Sequence, residues 1–84
     1  MVAPHMSPAE QFEENDLNER IQDAIVELSI DYRIVIVLRH FADLSHRELS
    51  FVLDISEKTV KSRLYTARRL LSGILLKRGI AAND

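Results

Sequence analysis

Seven side chains in the second half of the chain, Lys58, Lys61, Ser62, Tyr65, Arg68, Arg69 and Ser72, recur at helical intervals. Residues three and four apart share one face of an α-helix, so these groups point one way. Their chemistry is noncovalent. Ammonium and guanidinium groups neutralise phosphates, hydroxyls hydrogen-bond to base edges, and a phenol ring packs on a thymine methyl. From Glu57 to Ser72 there are five bases and a single acid. Bond-making chemistry has no comparable support. No nucleophile–base pairing, glycine-rich phosphate loop or carboxylate pair is visible, and His40 and His46 lack a third ligand at metal-binding spacing. The chain is therefore expected to be no enzyme and to need no metal or cofactor.

In a helix-turn-helix one helix braces and the next lies in the DNA major groove, and the chain supplies a candidate brace immediately upstream. Ser45 and Glu48 form an S-x-x-E capping box, with Leu44 and Leu49 at the two staple positions, which predicts a helix from there to about Leu53. Asp54 falls at the turn, where a left-handed backbone is expected and Asp is tolerated less well than Gly. Ser56 then caps the next helix, with Ile55 and Val60 as its staple and Val60, Leu64, Ala67, Leu71 and Ile74 as its buried stripe. Gly73 interrupts that stripe, so fraying is expected near Ser72, with residues 74–78 as an extension and Gly79 as the stop. Two helices joined by a tight turn over Leu44–Arg69 make a helix-turn-helix. Within it Lys61, Ser62 and Tyr65 are expected on the groove floor, with Glu57, Lys58 and Thr66 as further readers. Thr59, Arg63, Arg68 and Arg69 are expected on phosphates. Two of these have alternatives: an ion pair from Arg63 to Glu48 or Asp54, and a place for Tyr65 at the edge of the core.

Further upstream, Leu17, Ile21, Ala24, Ile25 and Leu28 form an apolar stripe opposite Glu19, Arg20, Asp23 and Glu27, which predicts a first helix ending near Leu28–Ser29. The run Tyr32–Phe41 contains the β-branched Ile34-Val35-Ile36-Val37, which favours a strand by propensity. A lone strand between helices has no partner for its backbone, however, and Ser29 or Asp31 can cap a helix whose apolar positions are Ile34, Val35, Leu38 and Phe41. The expected fold is all-α: a small four-helix domain over residues 17–79 with a C-terminal helix-turn-helix. Residues 1–16 hold both prolines and no periodicity, and are expected to be a disordered arm, a linker or in part a cloning remnant.

Composition limits the alternatives. Eighty-four residues, 46% of them hydrophobic, suit one small domain. There is no cysteine, so disulfides and thiolate metal sites are excluded. No apolar run approaches the roughly 20 residues that span a bilayer, and no signal-peptide pattern opens the chain, so a cytoplasmic location without membrane contact is expected. The formal charge of −2 conceals an uneven distribution. Residues 1–31 carry eight acids and one base, and residues 32–84 carry ten bases and five acids. That polarity places a nucleic-acid face in the second half and leaves the acidic half either as a solvated leader or as something that masks the basic face.

The segment LSIDYRIVIVLRHFADLSHRELSFVLDISEKTVKSRLYTARRLL resembles region 4 of bacterial sigma factors, closest to the extracytoplasmic-function (ECF) group. Tyr32, Arg33, Val35, Leu38 and Arg39 match the family's second helix, and Leu44, Ser45, Glu48 and Leu49 its third. Ile55, Ser56, Thr59 to Leu64, Ala67 and Arg68 match its fourth. Ser29, Ser50 and Asp54 replace the usual Pro, Ala and Gly, and Thr66 stands where many relatives carry a base. The resemblance covers about residues 18–76. It implies binding to the promoter −35 element, packing on the flap tip of the RNA polymerase β subunit, and in many ECF proteins capture by an anti-sigma factor. Ile34, Val37, Phe41 and Phe51 would then divide between core and partner groove. The family's region 2 is not in this chain, which is expected to be an excised domain or a stand-alone module. Two alternatives stand beside this reading. A LuxR-type output domain shares the helix-turn-helix and a T-V-K signature but usually continues with His where Ser62-Arg63 stands here. A protein-interaction module would use the fold mainly to hold an anti-sigma factor or polymerase.

Overall fold

The computed structural model describes the backbone of residues 8–79 and the side chains of residues 16–79. Four helices follow one another: α1 (Pro8–Ile25), α2 (Ile30–Ile36), α3 (His46–Leu53) and α4 (Glu57–Lys77), and no strand occurs among the described residues. The β-branched run that favoured a strand lies in α2 and in the π-helical turn Val37–Phe41 that continues it. Its side chains explain why. Val35 and Ile36 are fully enclosed between neighbouring helices, so tertiary burial outweighs their strand propensity.

Helix α1 starts at Pro8, nine residues ahead of the expected Leu17. The expected arm therefore divides: residues 1–7 lie outside the described residues, whereas 8–16 are helical in backbone. Proline is favoured at the first helical position, and the Ala, Gln and Glu that follow are good helix formers even without an apolar stripe. At its other end α1 stops at Ile25, and Leu28 enters the core from the following turn. The Arg33 guanidinium finishes this end by donating to the carbonyls of Val26 (2.9 Å) and Leu28 (3.0 Å), filling acceptors that a helix C-terminus leaves open.

Ser29 occupies the N-cap position of α2, but its side chain makes no cap bond. The chain leaves α2 through a wide turn, in which the Ala42 amide reaches the Val37 carbonyl (3.1 Å) and the Leu44 amide reaches that of Leu38 (3.0 Å). Asp43 then adopts a left-handed backbone (φ 60°). Arg39 spans the bend, with Nη1 donating to the Leu44 carbonyl at 3.4 Å and lying 3.9 Å from the Asp43 carboxylate.

Helix α4 is the common wall, packing against α1, α2 and α3 in turn. Ala24, Ile25, Leu28, Val35, Ile36, Leu49, Val60, Leu64 and Ala67 form the buried core, with Ile21, Leu44, Ile55, Leu71 and Ile74 partly buried against it. No polar residue is buried among the described residues. Gly73 does not fray α4, which runs unbroken to Lys77 and is followed by Gly79 at φ 78°. Packing of Leu71 and Ile74 on either side of Gly73 offsets its weak propensity.

Candidate nucleic-acid interface

The helix-turn-helix is built by local hydrogen bonds that the sequence already contains. Ser45 Oγ accepts from the Glu48 amide (3.0 Å), and Glu48 Oε1 accepts from the Ser45 amide (2.8 Å), so both arms of the capping box are made. The Ser45 amide first, and the Ser45 hydroxyl next, favour the ionised Glu48 carboxylate and hold its pKa below the ordinary value. Asp54 turns the chain in a left-handed conformation (φ 57°, ψ 47°). The Ser50 hydroxyl donates to the Ile55 carbonyl at 2.6 Å and ties α3 to the turn. Ser56 Oγ accepts the Thr59 amide (3.0 Å) and donates to Thr59 Oγ1 (2.9 Å), which opens α4.

These constraints set the rotation of α4. Val60, Leu64 and Ala67 face the core with at most 1% exposure. Opposite them, Lys58, Lys61, Ser62, Tyr65, Arg68 and Arg69 are exposed, while Thr59, Arg63 and Thr66 are half-buried along the flanks. Tyr65 is 65% exposed and so does not cover the core's edge; the Arg69 guanidinium lies over its ring, 5.9 Å from the centroid. That stacking pre-arranges a cation and a π surface side by side on the outermost line of the helix. Arg63 makes no ion pair with Glu48 or Asp54 among the described residues. The Thr59 hydroxyl oxygen is engaged by Ser56, though its own proton remains to donate.

Arg68 is tied where the sequence offered no signal. Its Nε donates to His40 Nε2 at 3.2 Å, joining α4 to the π-helical turn across 28 residues. Partial burial, then the charges of Arg68 and Arg39, lower the His40 pKa. No local spacing forecasts a contact made through the tertiary fold. The Arg33 cap on α1 likewise comes from the next helix, eight residues past Ile25, and was not foreseen from the sequence.

The four expected partner-binding residues separate. Val37 and Phe41, 38% and 53% exposed, border an apolar hollow of about 350 Å³ with Gln22, Ile25, Val26 and Arg33. Ile34 is half-buried. Phe51, 87% exposed, lies in a different hollow with Leu44, Arg47, Glu48 and Val52. Val26 and Ile30 are also exposed, and Val26, which lies off α1's apolar stripe, borders the same hollow as Val37 and Phe41. No cluster of three or more metal-ligating side chains occurs among the described residues, and no helix there is long and apolar enough to cross a membrane.

Comparison with known proteins fits this geometry. A family profile described as Sigma-70, region 4 matches residues 18–71. The chain is 35% identical over 71 residues to the ECF RNA polymerase sigma factor SigW of Bacillus subtilis, spanning 84% of this chain and 38% of that protein. It is 33% identical over 72 residues to the RNA polymerase sigma factor SigV of the same organism, and 35% identical over 74 residues to its ECF sigma factor SigM. Those alignments span 86% and 88% of this chain and 41% and 43% of the two relatives, so the chain accounts for about two-fifths of each relative's length. A braced helix-turn-helix with a basic outer line, matched over most of its described length by one family profile, assigns the chain to the sigma-70 region 4 family.

Proposed function

We propose that this domain binds the −35 element of a promoter and couples that recognition to RNA polymerase during transcription initiation. One observation carries the reading: an exposed line of Lys58, Lys61, Ser62, Tyr65 and Arg69 on a helix whose rotation is fixed by a capped brace and a buried opposite face. In this arrangement the first turns of α4 enter the major groove and later cations reach phosphates. Lys61 suits the O6/N7 edge of guanine, and the Tyr65 ring suits a thymine methyl. Lys58, Ser62 and Thr66 complete the base-facing set, with Thr59, Arg63, Arg68 and Arg69 on the backbone. The role is one of binding, not catalysis, exercised in the cytoplasm by a domain spanning residues 17–79.

The apolar hollow beside Val37 and Phe41 favours a second, compatible role as a docking face for the β flap tip of polymerase, with an anti-sigma factor as a competing occupant. Its lining comes from α1, α2 and the turns that follow each of them and includes no residue of α4, which leaves Lys61, Ser62 and Tyr65 to DNA. The deciding experiment is NMR shift mapping of the labelled domain, titrated first with a flap-tip fragment and then with promoter duplex. Shifts on α1 and α2 in the first titration and on Lys58–Arg69 in the second are expected. Absence of shifts from both, with the domain folded, would overturn the proposal.

A further inference from the structure

The contact between His40 and Arg68 has no role in the hydrophobic core. Both residues are exposed, and they come from segments 28 positions apart. The backbone arranges it deliberately: α2 widens into a π-helical turn over Val37–Phe41, and the wider turn re-aims the side chains that follow Ile36. His40 emerges from that turn against α4. The cleft between them is lined by Ile21 and Ile25 of α1, Ile36 and Phe41 of the α2 segment, and Leu71 and Leu75 of α4. Of the residues that line this cleft with His40, Arg68 and Ser72 are the polar ones and both come from α4. Arg39 of the same turn is the other charge that acts on His40, and α3 also packs against this turn.

Arg68 lies two turns beyond Lys61 on the same edge of α4. A free arginine on a helix surface samples many rotamers, and ordering it against a phosphate costs that freedom. Here Nε is already committed to His40 Nε2, while the two terminal nitrogens make no hydrogen bond to the described residues. A guanidinium held by its inner nitrogen presents its outer fork in one orientation, the geometry that bidentate phosphate contact requires.

We propose that His40 is a positioning residue for DNA binding: its neutral imidazole holds Arg68 by Nε so that the guanidinium fork meets a backbone phosphate. The inference rests on the DNA-binding reading above and adds a residue outside the helix-turn-helix to it. His40 must be neutral to accept this bond. Its surroundings favour that state, since partial burial and the Arg68 and Arg39 charges all oppose protonation.

The test is a double-mutant cycle at pH 8, where His40 is neutral, using fluorescence anisotropy with a promoter duplex over a range of salt. Arg68→Ala is expected to weaken binding roughly five- to ten-fold at 0.1 M salt and to flatten the log K against log salt slope by about one. His40→Ala should reproduce most of that loss, the double variant should be no worse than Arg68→Ala, and His40→Gln, whose amide oxygen reaches a similar point, should restore binding. On acidification the unaltered domain should lose the Arg68 contribution to the slope, while His40→Gln should not. Full affinity in His40→Ala, or a loss that adds to that of Arg68→Ala, overturns the proposal. A direct readout separates this from failure of DNA binding itself. The Arg68 Hε resonance should be protected and shifted in the free domain and collapse in His40→Ala. If no duplex binds, the DNA reading fails, and with it the role assigned to His40, whatever the resonance shows. If duplex binds and the resonance is unaffected by His40→Ala, the positioning alone fails.

Discussion

Lys61 is exposed one turn into α4, on the edge shared with Arg68, with no hydrogen bond or ion pair to the described residues. A cation so placed reads a base if it reaches the groove floor and merely anchors if it reaches a phosphate. Lys61→Ala is expected to cost about 1–3 kcal/mol on the preferred duplex and to relax preference at one base pair, measured by anisotropy over a set of single-substitution duplexes. A uniform loss on every duplex would reassign Lys61 to the backbone. His40 carries a pH signature at the same scale. Its pKa is lowered in the folded domain, by partial burial first and by Arg68 and Arg39 next. A base depressed on folding contributes stability that is present above its unfolded value of about 6.5 and is lost as pH falls through the folded value. Melting temperature should therefore fall on acidification below that point, and His40→Gln should remove this component. An identical pH profile in the two proteins would count against it.

At the scale of elements, α3 depends on its cap and α4 tolerates a weakness. Helix α3 is only eight residues long, too short to persist without its ends satisfied. Ser45→Ala removes the acceptor for the Glu48 amide and is expected to cost about 1 kcal/mol in urea unfolding, with an unchanged duplex-binding slope if the brace still forms. In α4, a Cβ added at Gly73 meets nothing within 4 Å, and the residue needs no unusual backbone. Gly73→Ala should thus stabilise the domain by about 0.5–1 kcal/mol, seen as a raised urea midpoint at constant m. A loss of stability would mean that the helix bends there in solution. The turn between the two helices is the third element, and its Asp54 holds a left-handed backbone with Ser50 and Ile55 bonded across it.

At the scale of the molecule, one helix holds the other three, and charge is divided between the halves. Leu64 is 1% exposed at the centre of α4, facing the core that all four helices share. Leu64→Ala is expected to cost about 2–5 kcal/mol, a large part of the stability of so small a domain, and circular dichroism should register a substantial unfolded fraction. The charge division makes a separate forecast. Removing residues 1–16 deletes Glu10, Glu13, Glu14 and Asp16 and no lysine or arginine, changing the formal charge from −2 to +2. The core residues Ala24, Ile25 and Leu28 remain, so the fold is expected to persist. Duplex affinity should rise at low salt and converge with that of the intact chain at high salt, since only long-range repulsion is removed. Equal affinity at every salt concentration would show that the acidic half does not mask the basic face.

The amino-acid sequence by itself determined what depends on near neighbours. The capping box, the Ser56 cap, the left-handed turn at Asp54 and the apolar stripe of α4 are all set by residues within a few positions of one another, so their spacing is enough to read them. The outward line from Lys58 to Arg69 follows, because a helix with one buried face has one free face. Tertiary structure decided the rest. Whether Ile34-Val35-Ile36-Val37 became strand or helix depended on what packed against it, and the ion pair from Arg63 to Glu48 or Asp54 that the spacing allowed does not form among the described residues. Two expected partner residues, Val37 and Phe41, border one hollow while Phe51 lies in another, a division set by how α1, α2 and α3 cross α4. The bond from His40 to Arg68 joins positions 28 apart and exists only because a π-helical turn meets α4. Contacts of that kind have no period or motif to announce them, since their geometry is produced by the packing of elements and not by the chain within any one of them.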